Sequence, residues 1–179
     1  MTINGYVAQP DGKSDWMTWN PDDELIAFMS SLIDSSDNLL LGRKTAEGII
    51  KYWEDTSVGN PTHPFAKKIA DIPKVVFTKT LDKSSWNNTT LAKGNLAEEV
   101  ASLKEQNGKD ILVFGGAGFV SSLIREGLID EYHLFVNPTA IGNGMTVFKS
   151  LDRTQKFSAI QSRFYSCGIT VLSYQPKND

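Results

Sequence analysis

The sequence predicts an α/β fold: a mostly parallel mixed sheet with helices on both faces and an antiparallel hairpin at the C-terminal end. Three observations predict it. Short apolar runs (Leu39-Leu40-Leu41, Val75-Val76-Phe77, Ile111-Leu112-Val113-Phe114) alternate with stretches of helical periodicity. Each run ends in a glycine-rich or polar turn. The final stretch, Phe157 to Gln175, reads as two strands around a turn near Ser166-Cys167-Gly168. Alternating strands and helices favour a parallel sheet covered on both sides, and a terminal hairpin adds antiparallel strands.

The elements follow in order. Asn20-Pro21-Asp22-Asp23-Glu24 has the makings of a helix start, with an Asn cap, Pro at the first helical position and acids near the positive end of the dipole. Leu25, Phe28, Met29, Leu32 and Ile33 then follow helical spacing and face the core. Leu39-Leu40-Leu41 is a strand buried on both faces, closed by Gly42, and a helix runs from about Thr45 to Trp53. Ser57 to Pro64, with Gly59, Pro61 and Pro64, reads as a loop. Lys74 to Phe77 is the next strand. Asn95-Leu96-Ala97-Glu98 has the form of a capping box, opening a helix with Leu96, Val100 and Leu103 inward. The strand Ile111 to Phe114 leads through Gly115-Gly116-Ala117-Gly118 into a helix with Val120, Leu123, Ile124 and Leu128 on one face. Glu131 to Val136 is a further strand.

The chain of 179 residues is expected to be one domain, 1–179, able to bury about 70% of its unfolded surface without a metal or disulfide. Cys167 is the only cysteine, which fits a reducing compartment and the cytoplasm. Eighteen basic against twenty-one acidic residues give a net charge of −3 with no basic block, so no nucleic-acid partner is expected. No apolar run approaches a membrane span, and the N-terminus has no secretory signal pattern. His63 and His133 are far apart and lack carboxylate or cysteine partners at ligand spacing, so no metal is expected. No Gly-x-Ser-x-Gly elbow points to a hydrolase.

Three strand-to-turn segments carry the chemistry, because ligands of open α/β sheets bind at the carboxyl ends of strands. In Phe114-Gly115-Gly116-Ala117-Gly118-Phe119, glycines allow close backbone approach, and a helix N-terminus follows that attracts phosphate. A tight turn without a ligand has the same sequence. The Gly-x-Gly-x-x-Gly pattern of dinucleotide-binding folds fails, since counting from Gly116 the sixth residue is Ser121. Gly42-Arg43-Lys44-Thr45 places two cations and a hydroxyl at a helix start, where cations are unfavourable unless an anion joins them; the alternative is a solvated surface pair. Thr78-Lys79-Thr80 adds hydroxyls and a cation, or is an ordinary strand end. Together the three supply a pyrophosphate seat and cations for an extra phosphate, which distinguishes NADP from NAD recognition.

With these motifs stand Thr2-Ile3-Asn4-Gly5-Tyr6-Val7-Ala8, Asp15-Trp16, Tyr52-Trp53, Pro73 to Leu81, Trp86-Asn87, Gly127-Leu128-Ile129-Asp130-Glu131 and Pro138-Thr139-Ala140-Ile141-Gly142-Asn143-Gly144. In this order and spacing the chain resembles the dihydrofolate-reductase-like family that includes the reductase domain of bacterial riboflavin biosynthesis, and within it the small stand-alone members. The resemblance covers nearly the whole chain and implies the three-layer fold of that family, NADPH as cofactor and a homodimer. It implies that Gly42, Arg43 and Thr45 hold cofactor phosphates. By the same resemblance, Thr78 and Lys79 are expected beside the adenosine 2′-phosphate, Gly115, Gly116, Ala117, Gly118, Phe119 and Val120 at the pyrophosphate, and the Ala8 backbone at the nicotinamide amide. The chain departs from the family in a nearly absent first strand and in Asn4, where Asp is common; Asn4 is assigned no catalysis. No deaminase half is expected.

The implied reaction is hydride transfer to a polarised C=N or C=O of a small heterocyclic, ribosylaminopyrimidine-like substrate. Glu24 is the candidate acid for proton relay, although first-turn dipole stabilisation beside Asp22 and Asp23 also accounts for it. Trp16, Phe28, Ile49, Tyr52 and Trp53 are candidates for an apolar wall against a flat ring; Phe28 and Ile49 equally suit core packing. A nucleotide-binding module without turnover fits the same cofactor turns. The terminal hairpin, with Phe157, Ile160, Phe164, Ile169, Val171 and Leu172, offers an apolar edge for the homodimer.

Overall fold

The computed structural model describes residues 1–177. The chain forms two compact units, Met1–Leu25 with the chain from Val120 onward, and Ile26–Phe119. In order the elements are α1 (Asp23–Asp34), β1 (Ser36–Gly42), α2 (Arg43–Gly59), α3 (Ala66–Asp71), β2 (Lys74–Phe77), β3 (Thr89–Ala92), α4 (Leu96–Lys104), β4 (Asp110–Val113), α5 (Ala117–Arg125), β5 (Tyr132–Val136), β6 (Phe157–Phe164) and β7 (Thr170–Pro176). The α/β class stands. The strands form two sheets, a four-stranded parallel one ordered β3-β2-β1-β4 and a three-stranded antiparallel one ordered β5-β7-β6.

In the Ile26–Phe119 unit, β1 is the central strand. Leu39, Leu40 and Leu41 are all buried, as a strand covered on both faces requires. Leu39 and Leu41 point to one face, where they join Val76 of β2, Ala46 and Ile50 of α2, Ile69 of α3 and Ile33 of α1 in one apolar core. Leu40 and its register partner Val75 point to the other.

Lys74 opens β2 with an exposure of 1%. Its ammonium donates to the carbonyls of Ala70 (2.7 Å) and Ile72 (2.9 Å), at the C-terminal end of α3. The lysine thus satisfies acceptors that the helix leaves open. Burial pushes its pKa below the ordinary 10.5, against the attraction of Glu54 and Asp71.

In the other unit, β7 pairs on both edges, with β5 and with β6, and a bulge between Ala159 and Gln161 interrupts the β6 ladder. The first strand, read from the sequence as nearly absent, is one parallel bridge, Thr2 to Asn137. A second bridge joins Ala8 to Met145. There Gly144 is obligatory: a Cβ on it would stand 2.4 Å from the Ala8 carbonyl oxygen.

Several local expectations shift. The cap of α1 is Asp22, two residues beyond Asn20; its Oδ1 accepts from the Leu25 amide at 2.9 Å. Its Oδ2 accepts from Ser166 Oγ (2.6 Å) and the Cys167 amide (3.1 Å), so one carboxylate closes the start of α1 and the β6–β7 turn. That tertiary bond selects Asp22 over Asn20. Helix α2 starts at Arg43 and continues through Ser57 to Gly59, where a loop was expected. At α4, Asn95 caps the amides of Ala97 and Glu98 as anticipated, while the reciprocal bond joins Glu99 to the Gly94 amide at 3.0 Å. Helix α3 and strand β3 were not anticipated. The first has six residues, too few for a helical period, and the second is an edge strand with Ala92 as its one buried residue.

Two measurements follow. Because folding lowers the Lys74 pKa, the folded state binds fewer protons than the unfolded one just below 10.5. Stability therefore gains from rising pH between the lowered value and 10.5. Denaturant unfolding of K74M will lack that gain and show a loss of about 2 kcal/mol from the two orphaned carbonyls. For Asp22, hydrogen bonds from Ser166, then Leu25 and Cys167, hold the carboxyl below its ordinary 3.8. D22N will lower Tm at neutral pH. Its deficit against the wild type will shrink as pH falls below 3.8 through the lowered value, where the wild-type carboxylate is itself protonated.

Candidate cofactor-binding site

Parallel pairing sets the site. The register matches Gly42 to Phe77 and Leu40 to Val113, so β1, β2 and β4 end along one edge of their sheet. After β1 the chain passes through α2 and α3 to β2 on one side, while β4 lies on the other. Neighbouring strands with diverging connections form the switch point at which open α/β sheets bind ligands.

Two helices begin there. Helix α2 follows β1 directly, with Gly42 at its N-cap supplying no side chain. Helix α5 follows β4 after Phe114-Gly115-Gly116. Neither has an acid in its first turn, so the positive ends of both dipoles lack an anionic side chain.

The turns fit closely against each other. Gly115 and Gly116 have φ of 78° and 83°, a region that L side chains rarely adopt. A Cβ on Gly116 would lie 2.5 Å from Thr45 Oγ1, and one on Gly42 would lie 2.8 Å from the Phe119 Cβ. The Phe119 ring packs on Phe77 with centroids 5.0 Å apart. Gly42, Thr45, Gly115, Gly116 and Phe119 are therefore brought together as the sequence anticipated. The Phe77–Phe119 contact was not foreseen, although both aromatics flank the turns.

The cations divide. Arg43 forms an i,i+4 pair with Glu47 at 2.8 Å, both side chains being partly exposed, which relieves its placement near a positive dipole. Lys44 and Lys79 are exposed and have no ion pair among the described residues. Thr78 is 6% exposed, and its Oγ1 accepts from the amides of Thr80 and Leu81, both at 3.1 Å. Its hydroxyl shapes the turn that carries Lys79.

The candidate ring wall does not form a single surface. Ile49 and Trp53 pack on the core of the unit. Trp53 meets Tyr52, His63 and Phe65 at 4.9, 5.5 and 5.4 Å between centroids, joining the C-terminal half of α2 to the following loop. Tyr52 is 57% exposed and Phe28 half-buried. Trp16, Ala8, Glu24 and Val120 belong to the other unit. Trp16 is half-buried there, the Ala8 carbonyl accepts from the Met145 amide at 2.7 Å, and Glu24 is exposed in the first turn of α1. The acid engaged at that turn is Asp22, which sequence reading had noted only as a dipole partner. No helix among the described residues is long and apolar enough to cross a membrane.

Comparison with known proteins places this geometry. A solved structure from Shewanella sp. PV-4, named for riboflavin biosynthesis, is 25% identical, with a TM-score of 0.77 over 99% of this chain and 95% of that one. The deaminase/5-amino-6-(5-phosphoribosylamino)uracil reductase of Thermotoga maritima shares the fold at 16% identity and a TM-score of 0.65, over 98% of this chain and 54% of that one. Dihydrofolate reductase from Enterococcus faecalis, solved with NADP(H), shares it at 16% identity and a TM-score of 0.64, over 99% and 92%. Residues 1–171 match the RibD C-terminal domain along their whole length, and the chain belongs to that family.

Proposed function

We propose that the protein is a cytoplasmic NADPH-dependent reductase that transfers hydride to a small heterocycle of the ribosylaminopyrimidine type. The observation that carries this reading is the meeting of two acid-free helix starts at the ends of β1 and β4, with Gly116 closed onto Thr45. Backbone amides at such starts suit a pyrophosphate. Family membership supports a reductase, and the NADP(H) bound by the Enterococcus faecalis neighbour supports the nicotinamide cofactor.

The residues fit the group. Gly42, Gly115 and Gly116 keep the cradle clear of Cβ atoms, and Ala117, Gly118, Phe119 and Val120 open the helix beneath it. Arg43 and Thr45 contact phosphate from α2. Thr78 presents Lys79 to the 2′-phosphate. Bound NADPH supplies hydride; the protein orients the ring and excludes water. Ala8 holds the nicotinamide amide through its backbone. Glu24, whose carboxyl has no hydrogen bond among the described residues, relays a proton to the substrate. Half-buried Phe28 and exposed Tyr52 are the candidate ring contacts of one unit, where Ile49 and Trp53 pack on the core, and half-buried Trp16 is the candidate of the other. The active form is a homodimer, for which the exposed Ile160 and Phe164 of β6 supply apolar surface.

Fluorescence titration with NADPH and NADH tests the reading. The wild type will bind NADPH more tightly, and R43A/K79A will lose about 10-fold or more of that preference, as loss of a charge-assisted hydrogen bond requires. G116A, strained at φ 83° and pressed on Thr45, will weaken both nucleotides alike. Binding followed by NADPH oxidation with a pterin or aminopyrimidine establishes the reductase. Binding without oxidation of any such substrate leaves a nucleotide-binding module, and no binding of either nucleotide refutes the assignment.

A further inference from the structure

Two short segments outside the named strands, 1–8 and 137–145, lie side by side within one unit. They bridge in parallel at Thr2 and Asn137 and in antiparallel at Ala8 and Met145, so their relative direction changes between the bridges. Within the first segment the chain forms a tight turn. The Thr2 amide donates to the Tyr6 carbonyl at 2.7 Å, the Gly5 amide to the Thr2 carbonyl at 3.1 Å and the Tyr6 amide to Thr2 Oγ1 at 2.9 Å, with Gly5 at φ 89°. The amides of Thr2, Gly5 and Tyr6 are thus used inside the turn. On one side of it Ile3 donates to the Thr139 carbonyl at 2.9 Å, and on the other Val7 donates to the Met145 carbonyl at 2.8 Å.

Asn4 stands between these rungs. Its Nδ2 donates to the Ile141 carbonyl at 2.8 Å, and its Oδ1 accepts from the Ile141 amide at 3.4 Å. A carboxamide carries the donor and the acceptor of a peptide group, so this side chain supplies the rung that the backbone of the turn does not. The shorter bond is the one that needs the amide nitrogen. Aspartate, of the same size, keeps the acceptor and loses the donor, and its carboxylate would face the Ile141 carbonyl oxygen.

What Asn4 holds bears on Ala8. A Cβ on Gly144 would stand 2.4 Å from the Ala8 carbonyl oxygen and 3.1 Å from Cδ1 of Ile141, so Ala8 and Ile141 converge on one close-packed residue. The Ala8 carbonyl also accepts from the Met145 amide at 2.7 Å, which orients its peptide group. Contacts this tight pass a displacement on rather than absorb it. A shift at Ile141 therefore reaches the Ala8 peptide.

We propose that Asn4 is a positioning residue for the cofactor: it pins Ile141 and thereby fixes the Ala8 backbone that meets the nicotinamide. The inference rests on the proposed contact of Ala8 with the nicotinamide amide. It also accounts for Asn where Asp is common in the family, since only the amide donates to Ile141.

Calorimetric titration of the wild type, N4D and N4A with NADPH and with adenosine 2′,5′-bisphosphate tests it, together with hydrogen–deuterium exchange over residues 137–145. The bisphosphate keeps the adenosine end of the cofactor and lacks the nicotinamide. Asn4 is exposed, so neither variant disturbs the core. Both variants will bind NADPH about threefold or more weaker, the effect of losing one hydrogen bond. Both will hold the bisphosphate as the wild type does, and both will exchange faster over 137–145. N4D that matches the wild type in NADPH affinity overturns the proposal, because size and the acceptor alone then suffice. So does an equal loss of both ligands, which marks general loosening. A wild type that binds neither ligand refutes the cofactor reading, and the role of Asn4 at the nicotinamide falls with it; faster exchange in N4D then establishes the clamp on Ile141 alone.

Discussion

The contact of Gly116 with Thr45 is the constraint on which the candidate site depends. It requires β1 and β4 to be neighbours in parallel register, so that the turn after one strand meets the first helical turn after the other. It requires positive φ at Gly115 and Gly116, which reverses the chain without a side chain in the way. A methyl group at Gly116 would press on Thr45 Oγ1, and one at Gly42 on Phe119. The two helix starts are held by these close approaches, and the buried Leu39-Leu40-Leu41 strand holds the sheet beneath them.

Electrostatics at this edge sets it apart from the starts of α1 and α4. The first turns of α2 and α5 lack acids, and α2 carries Arg43 and Lys44 instead. Such cations cost a few tenths to about 1 kcal/mol near a positive dipole end. Glu47 offsets part of this for Arg43. Of the other helices, α1 and α4 have acids in their first turns and Asp22 and Asn95 as caps, while the six-residue α3 has neither. The acid-free starts of α2 and α5 coincide with the strand ends where this class of fold binds anionic ligands, and membership of the RibD C-terminal domain family agrees with it.

Asp22 performs a comparable service in the other unit. One oxygen caps α1 and the other closes the β6–β7 turn. Polar side chains there fix segment 16–22, whose Met17 and Trp19 are exposed and so add little to its packing. Lys74 serves a similar end in the parallel-sheet unit by tying the last carbonyls of α3 to the start of β2.

The sequence by itself determined the elements whose signals are local. Apolar runs of strand length, helical spacing in Leu25 to Ile33, the Asn95 cap and the glycines after β4 each act within a few residues, and each was legible. The turns of the candidate site after β1 and β4 were legible as turns for the same reason: a helix start after a buried strand dictates glycines and polar residues whatever the remainder does. Tertiary structure decided what depends on distant partners. Edge strand β3 and six-residue α3 form because neighbours supply hydrogen bonds and burial. The cap of α1 moved from Asn20 to Asp22 because Ser166, far along the chain, bonds to Asp22. Trp53 became a packing residue because His63 and Phe65 fold back on it. Whether an aromatic lines a pocket or fills a core rests on which surfaces meet it, and that information lies in the packing rather than in the spacing of the chain.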